Sequence, residues 1–419
     1  MCWRRNITLE INPERLIGMI EDLAKIGLKK DGSICRIALT AEDKAGRDLV
    51  ASWMQDLGLE VKIDAIGNIF GIRAGAGDLA PVMTGSHIDT VATGGKYDGA
   101  YGVLGGLEVV AALNDANVTT KRPLVVAVFT NEEGVRFTPD MMGSLVHAGG
   151  LDLKAALAAS DDDGISLQTA LEATGYAGHE PIGGIIPAAY VELHIEQGPV
   201  LEAEGTIIGV VENLAGISWQ EITIAGQANH AGTTPMDLRA DAALAAARII
   251  VFIHDLALKF GPDQRATAGS LTLEPGLVNV IAGCARLTVD LRNPDNQVLT
   301  RAEAALAEFL VTLQKDSGIS ISTRSLVRFD PVGFDAGITH VIEKSARGLN
   351  LSTRRMASGA GHDAQMIARI APSGMIFVPS KGGISHNGLE DTEELHLLAG
   401  ARVLLHTLLD LADQPDGKQ

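Results

Sequence analysis

Two short apolar runs, residues 81–84 and 124–130, flank an amphipathic stretch, 102–113, in which Val103, Leu107, Val110, Ala111 and Leu113 recur at helical spacing. Strand, helix and strand at this spacing are the signature of a parallel α/β sheet, a fold that presents its chemistry at the strand ends. The same texture precedes these runs. Residues 13–26 place Leu16, Ile17, Ile20, Leu23 and Ala24 at helical spacing, residues 41–57 repeat the pattern with Leu49, Val50, Trp53 and Leu57, and strands are expected at 60–66 and 69–72. A polar, glycine-containing stretch, 160–184, reads as a surface excursion, after which 188–194 resumes as a strand.

From about Val211 the pattern changes. Residues 218–225 alternate like a strand, and a long helix is expected from Pro235 to about Leu258, with Thr234 as its cap and Asp237 in its first turn. Alternating strands at 268–273 and 285–292, a helix at 300–314 and a strand at 319–326 complete a block of four strands and two helices. The chain therefore divides into an α/β domain built from residues 1–213 and 330–419 and an inserted α+β domain, 214–329. A strand at 375–378 and a helix from about Glu393 close the first of these.

Composition narrows the partners. With 34 basic against 52 acidic residues, a net charge of −18 and no local Lys/Arg block, nucleic acid and anionic membrane are excluded as partners. The longest uninterrupted apolar runs, such as 123–129, fall far short of the ~18–20 residues of a membrane span. Two arginines near the start are followed by no apolar signal core, so the cytoplasm is the expected location. Three cysteines, Cys2, Cys35 and Cys284, with no paired spacing argue against a disulfide framework and a thiolate zinc cluster; Cys35 and Cys284 read as core residues. The sequons at Asn6, Asn117 and Asn350 read as chance matches.

Any metal must then rest on histidine and carboxylate, and five segments offer them at strand ends. His87 and Asp89 follow the 81–84 strand, with Asp89 expected to orient the imidazole. Asp98, in a glycine-rich turn, could cap the next helix or bridge two cations. Glu132 and Glu133 end the 124–130 strand; adjacent acids repel unless a cation lies between or beside them, in which case one binds metal while the other takes a proton from water. Alternation sends Glu192, His194 and Glu196 to one face of an apolar strand, costly in a plain core. His386 lies in a glycine-rich loop after the 375–378 strand. Together His87, Asp98, Glu133, His194 and His386 supply three imidazoles and two carboxylates, enough for two divalent cations bridged by Asp98 and suited to amide or urea hydrolysis. No GxSxG elbow, phosphate loop or HExxH helix competes.

The segments GSHIDTVATGGKYDGAYG, TNEEGVRF, ELHIEQGPVLE, NHAGTTPMDLRAD, GLVNVIAG, DLRNPD, GAGHDAQM and SHNGLED together resemble the amidase, hydantoinase and carbamoylase branch of the M20 metallopeptidase-like hydrolases. That branch includes N-carbamoyl-L-amino acid hydrolases, β-ureidopropionases and allantoate amidohydrolases. The resemblance implies a di-metal aminopeptidase-like catalytic domain with an inserted lid that also forms a homodimer. It implies two divalent ions (Zn, Mn, Co or Ni) on His87, Asp98, Glu133, His194 and His386, with Glu132 as general base. Substrate positions carry over as Gln197, His230, Asn279, Arg292 and Gly361, His230 coming from the neighbouring subunit. Several relatives carry arginine where this chain has Ser218 and Trp219, which tilts the expectation from allantoate toward an N-carbamoyl-L-amino acid. β-Ureidopropionate, allantoate, an N-acyl amino acid, a dipeptide substrate and a non-catalytic metal-binding role are the alternatives.

Overall fold

The computed structural model describes residues 9–414, so Cys2 and Asn6 lie outside the described residues. The described residues form two compact units, one from residues 9–212 and 334–414, the other from Asn213–Gly333.

In the larger unit the strands run β1 (Glu60–Ile63), β2 (Ile69–Arg73), β3 (Val82–His87), β4 (Leu124–Phe129), β5 (Ala189–Ile195) and β6 (Ile208–Leu214). The smaller unit then contributes β7 (Gly216–Ala225), β8 (Asn229–His230), β9 (Arg265–Glu274), β10 (Val280–Ile281), β11 (Cys284–Asn293), β12 (Ser320–Phe329) and β13 (Val332–Gly333), before β14 (Thr353–Ser358) and β15 (Ser373–Val378) return to the larger unit. The large sheet has the spatial order β1-β2-β4-β3-β5-β15-β6, with β14 beside β6. Its centre, β4-β3-β5-β15, is parallel, and β1, β2 and β6 pair antiparallel. All residues of β3, β4, β5 and β15 are buried, the reason these strands read as continuous apolar runs. On β5, Leu193 packs toward Gly105 and Gly400 of the helices Ala100–Asp115 and Glu394–Asp413. Alternation then turns Glu192 and His194 to the opposite face.

The Glu394–Asp413 helix is, by length and composition alone, apolar enough to cross a membrane, with mean hydropathy 1.4 over its most apolar stretch. Of that stretch 61% is buried inside the protein, which makes it a core helix of this unit. The 160–184 stretch is less irregular than its composition predicts. It contains the helix Leu167–Thr174, started by Ser166, whose hydroxyl accepts from the Thr169 N–H at 3.2 Å, and anchored by buried Leu167, Ala170 and Leu171.

The smaller unit is a four-stranded antiparallel sheet, order β12-β7-β11-β9, and a short ribbon of β8 and β10. The helices Ala242–Phe260 and Asn296–Ser317 bury their apolar faces with Ile222, Ile224, Leu287, Val289 and Leu291 of the sheet. The first of these helices does not begin at Pro235. Pro235 is extended (ψ 151°), Met236–Leu238 form a single 3-10 turn, and Asp241 is the cap, accepting from the N–H groups of Ala243 and Leu244 at 3.0 and 3.1 Å. Arg239 causes the delay, because its guanidinium donates to the carbonyls of Ala231 and Thr234 and holds 231–239 as a loop. Cys35 and Cys284 are free and half-buried rather than core residues.

Candidate metal centre

The parallel strands β3, β4, β5 and β15 end along one edge of the sheet, and the predicted ligands collect there. His87 is the last residue of β3, Glu132 and Glu133 follow β4, His194 lies near the end of β5, and His386 follows β15. One ligand atom each from His87, Asp98 and His194 lies within 4.8 Å of the others, and the same holds for Asp98, Glu133 and His386. Asp98 belongs to both groups. Its Oδ1 is 3.2 Å from His194 Nε2 and 3.8 Å from His87 Nε2, while its Oδ2 is 3.2 Å from His386 Nε2. Glu133 Oε2 is 3.4 Å from His386 Nε2.

Local structure explains each orientation. Asp98 does not cap the Ala100–Asp115 helix: Gly99 occupies the cap position with φ +62°, which leaves the carboxylate free to turn to the imidazoles. A Cβ at Gly99 would lie only 2.4 Å from the His87 ring atoms Cε1 and Nε2, so both the backbone angle and the space require glycine. His87 Nδ1 bonds to the main-chain carbonyl of Asp89 at 2.9 Å and His194 Nδ1 to that of Ile195 at 2.8 Å, so each ring turns Nε2 to the site, where that of His194 also accepts the Gly99 N–H at 3.1 Å. The Asp89 carboxylate lies 3.8 Å from His87 Nδ1, beside the imidazole it is expected to orient, and has a second task. It accepts from the N–H groups of Glu132 and Glu133 at 3.3 and 3.2 Å and fixes the turn that carries them. Gln197 and His386 both hold φ near +55°, at 57° and 53°, a strained conformation for non-glycine residues that gathers here at the site.

Of the other two acids expected on this face, Glu192 lies on β5 and shares a further group of metal-type donors with His194 and His362, whereas Glu196 falls just past the strand; both are hydrogen-bonded. Glu192 accepts from Ser86 Oγ at 2.7 Å and from the Ala364 N–H at 2.8 Å, and Glu196 accepts from the N–H groups of Val200 and Leu201, both at 2.8 Å. Gln197 donates from Nε2 to Asp98 Oδ2 at 2.8 Å, with its buried Oε1 left without a partner. Gly361 sits against Met141, whose Cε a Cβ there would meet at 3.0 Å. The neighbouring His362 escaped the sequence reading. Buried and bonded through Nε2 to Ser358 Oγ at 3.0 Å, it stacks edge-on against His194 with ring centroids 4.5 Å apart. Its signal was the imidazole beside an acid in GAGHDAQM.

The electrostatics suit a cation. Burial drives the carboxyls of Glu132 and Glu133 well above the usual range, Glu132 further by the charges of Asp363 and Glu133, and Glu133 by that of Asp98. Burial also acts to raise Asp98, but its hydrogen bonds to His194 and His386 outweigh this and hold it well below normal. Burial lowers His87 to about 4, whereas His194, despite its burial, is drawn up to about 9 by Asp98. No Lys or Arg among the described residues pairs with Asp98, Glu132 or Glu133. Three buried carboxyls facing one another without a counter-cation, among three imidazoles that offer Nε2, are a donor set that fits divalent metal.

The smaller unit carries three further predicted residues. His230 is exposed on the ribbon, paired with Val280, and its Nδ1 accepts from the N–H groups of Gly232 and Thr233 at 3.0 and 3.2 Å. That tautomer leaves Nε2 as a donor. Asn279 is exposed beside the ribbon. Arg292, next to last in β11, has its guanidinium on the Asp290 carboxylate, Nε and Nη2 at 3.0 and 2.9 Å from Oδ2. Trp219 lies directly across from Asp290, on the same sheet face as Arg292.

A mixed α/β sheet, parallel at its centre, thus gathers imidazoles and carboxylates along the C-terminal edge of its parallel strands, a donor set suited to divalent metal and to hydrolytic chemistry. The chain belongs to peptidase family M20/M25/M40, whose sequence pattern matches residues 83–410. It is 41% identical to the N-carbamoyl-L-amino-acid amidohydrolase of Rhizobium meliloti over 404 residues, 96% of this chain and 97% of that one. It is 38% identical to the allantoate amidohydrolase of Bacillus subtilis strain 168 over 404 residues, 94% of this chain and 96% of the other. A crystal structure of an amidase of the hydantoinase/carbamoylase family from Burkholderia multivorans superposes with a TM-score of 0.93 at 44% identity, covering 97% of this chain and all of that one.

Proposed function

We propose that the protein is a two-cation amidohydrolase that cleaves the carbamoyl C–N bond of an N-carbamoyl-L-amino acid, releasing the amino acid, carbon dioxide and ammonia. One observation carries the reading: Asp98 is shared by two groups of metal-type donors, with the carboxyl of Glu132 3.4 Å from one of the imidazoles. His87 and His194 would hold one cation, Glu133 and His386 the other, and Asp98 both. Nitrogen and oxygen donors without sulfur suit Zn, Mn, Co or Ni. The cations, when bound, supply Lewis-acid polarisation of the carbonyl and acidify the attacking water.

The chain's own residues supply the rest. Glu132, whose carboxyl burial raises well above the usual range, takes the proton of the attacking water and passes it to the leaving nitrogen. His230 offers Nε2–H to the carbonyl oxygen as negative charge develops. The fork of Arg292, which rests on Asp290, would turn with Asn279 to the substrate carboxylate, and Gln197 is the substrate-binding residue of the larger unit. We infer that the smaller unit serves as lid and pairing surface of a homodimer, His230 being presented to the partner's site. The exposure of Met236, Leu238, Leu277 and Val278 around the ribbon supports a surface that is covered in the assembly.

An indole beside Arg292, where an arginine would suit a more polar ureido substrate, favours an N-carbamoyl amino acid over allantoate. The test is ammonia release from N-carbamoyl-L-amino acids, β-ureidopropionate and allantoate, and amine release from N-acyl amino acids, after metal is restored. At least one N-carbamoyl-L-amino acid is expected to exceed allantoate in kcat/KM by about tenfold or more, the scale of one well-placed side-chain contact. Allantoate as the better substrate would overturn the assignment.

A further inference from the structure

The two ligand groups are not equally secured. His87 and His194 are 2% and 0% exposed, whereas His386 is 52% exposed on a loop with a strained backbone. Packing cannot aim a half-exposed imidazole, so the loop that carries it must be tied to the rest of the site by specific bonds. Glu390, buried at 5% exposure, makes those bonds. Its Oε1 accepts the N–H groups of Tyr97 and Asp98 at 3.0 and 3.2 Å, and its Oε2 accepts the Ser385 hydroxyl at 2.7 Å. Gly95 admits this carboxylate, because a Cβ there would overlap it.

We propose that Glu390 is a positioning residue that couples the Asp98 segment to the Ser385–His386 loop and thereby governs binding of the second cation, a role that rests on the two-cation reading above. Ser385 is the pivot. Its Oγ lies 2.7 Å from Glu390 and 3.2 Å from Asp98 Oδ2, yet a hydroxyl has one proton. A carboxylate at 390 can only accept, so it claims that proton and spares Asp98 Oδ2, which already accepts from Gln197 Nε2 at 2.8 Å, a further donor on the His386 side. An amide at 390 can still accept from the Tyr97 and Asp98 N–H groups, but its NH2 must face Ser385. The serine proton then turns to Asp98 Oδ2 and competes with the cation there.

The experiment is a cobalt(II) titration of the metal-stripped protein, read by calorimetry and by the visible spectrum of the bound ion, for wild type, Glu390→Gln and Ser385→Ala. Wild type is expected to take up two ions. Glu390→Gln is expected to bind the first as wild type does and the second about 10–100-fold more weakly, the usual effect of losing an outer partner of a metal ligand. Ser385→Ala, which unties the loop without disturbing Tyr97, is expected to weaken the same step, and it carries the test if the first variant fails to fold. Two unchanged steps in both variants, or an equal loss in both steps, would overturn the positioning role while leaving the two-cation reading standing. Fewer than two ions in wild type would overturn that reading and this role with it.

Discussion

Glu132→Gln is expected to lower turnover about 10²–10⁴-fold, the contribution of a positioned general base, while the protein still binds its cations. The amide is isosteric with the carboxyl and cannot carry the negative charge that burial, Asp363, Glu133, Asp89 and Asp98 oppose at this position. Thermal stability should therefore hold or rise even as activity disappears. The comparison requires kcat, metal content by elemental analysis and a melting curve on the same preparation. Near-wild-type turnover with full metal content would remove Glu132 from the mechanism.

Asp98→Ala is expected to be as severe for activity and far more severe for metal. Asp98 is the one residue common to both donor groups, so its loss takes a ligand from each cation at once. It also governs the charge of the metal-free site. The Asp98 carboxylate, against the opposing effect of burial, raises His194 from 6.5 to about 9. A histidine raised on folding contributes stability that is complete below pH 6.5 and is lost as pH climbs through about 9. The metal-free wild type should accordingly lose this increment between pH 6.5 and 9, and metal-free Asp98→Ala should not. Denaturant melts across that range, alongside metal analysis, check both. Retention of two cations by the variant would contradict the bridging role.

Much of this site was legible because polar groups at the ends of apolar strands are conspicuous. β3, β4, β5 and β15 are buried on both faces, so their continuous apolar runs announce themselves, and His87, Glu133, His194 and His386 interrupt or follow those runs. Asp98 remained ambiguous between helix cap and bridging ligand, since the choice depends on the positive φ of Gly99 and not on residue type. The helix expected at Pro235 starts at Ala242, because Arg239 bonds back to carbonyls five and eight positions earlier, a constraint that periodicity does not carry. Leu167–Thr174 was hidden by its short apolar set within a polar stretch. Glu390 was invisible for another reason: its partners Tyr97 and Asp98 lie 293 and 292 residues away, and only the fold brings them together.

The most direct measurement restores metal to the stripped protein in steps and follows bound ions and ammonia release from an N-carbamoyl-L-amino acid in the same samples. The two-cation account predicts no release without metal, little with one ion per chain, and full turnover as the second binds. Release by the metal-free protein, or two bound ions with no release from any ureido compound, would contradict it.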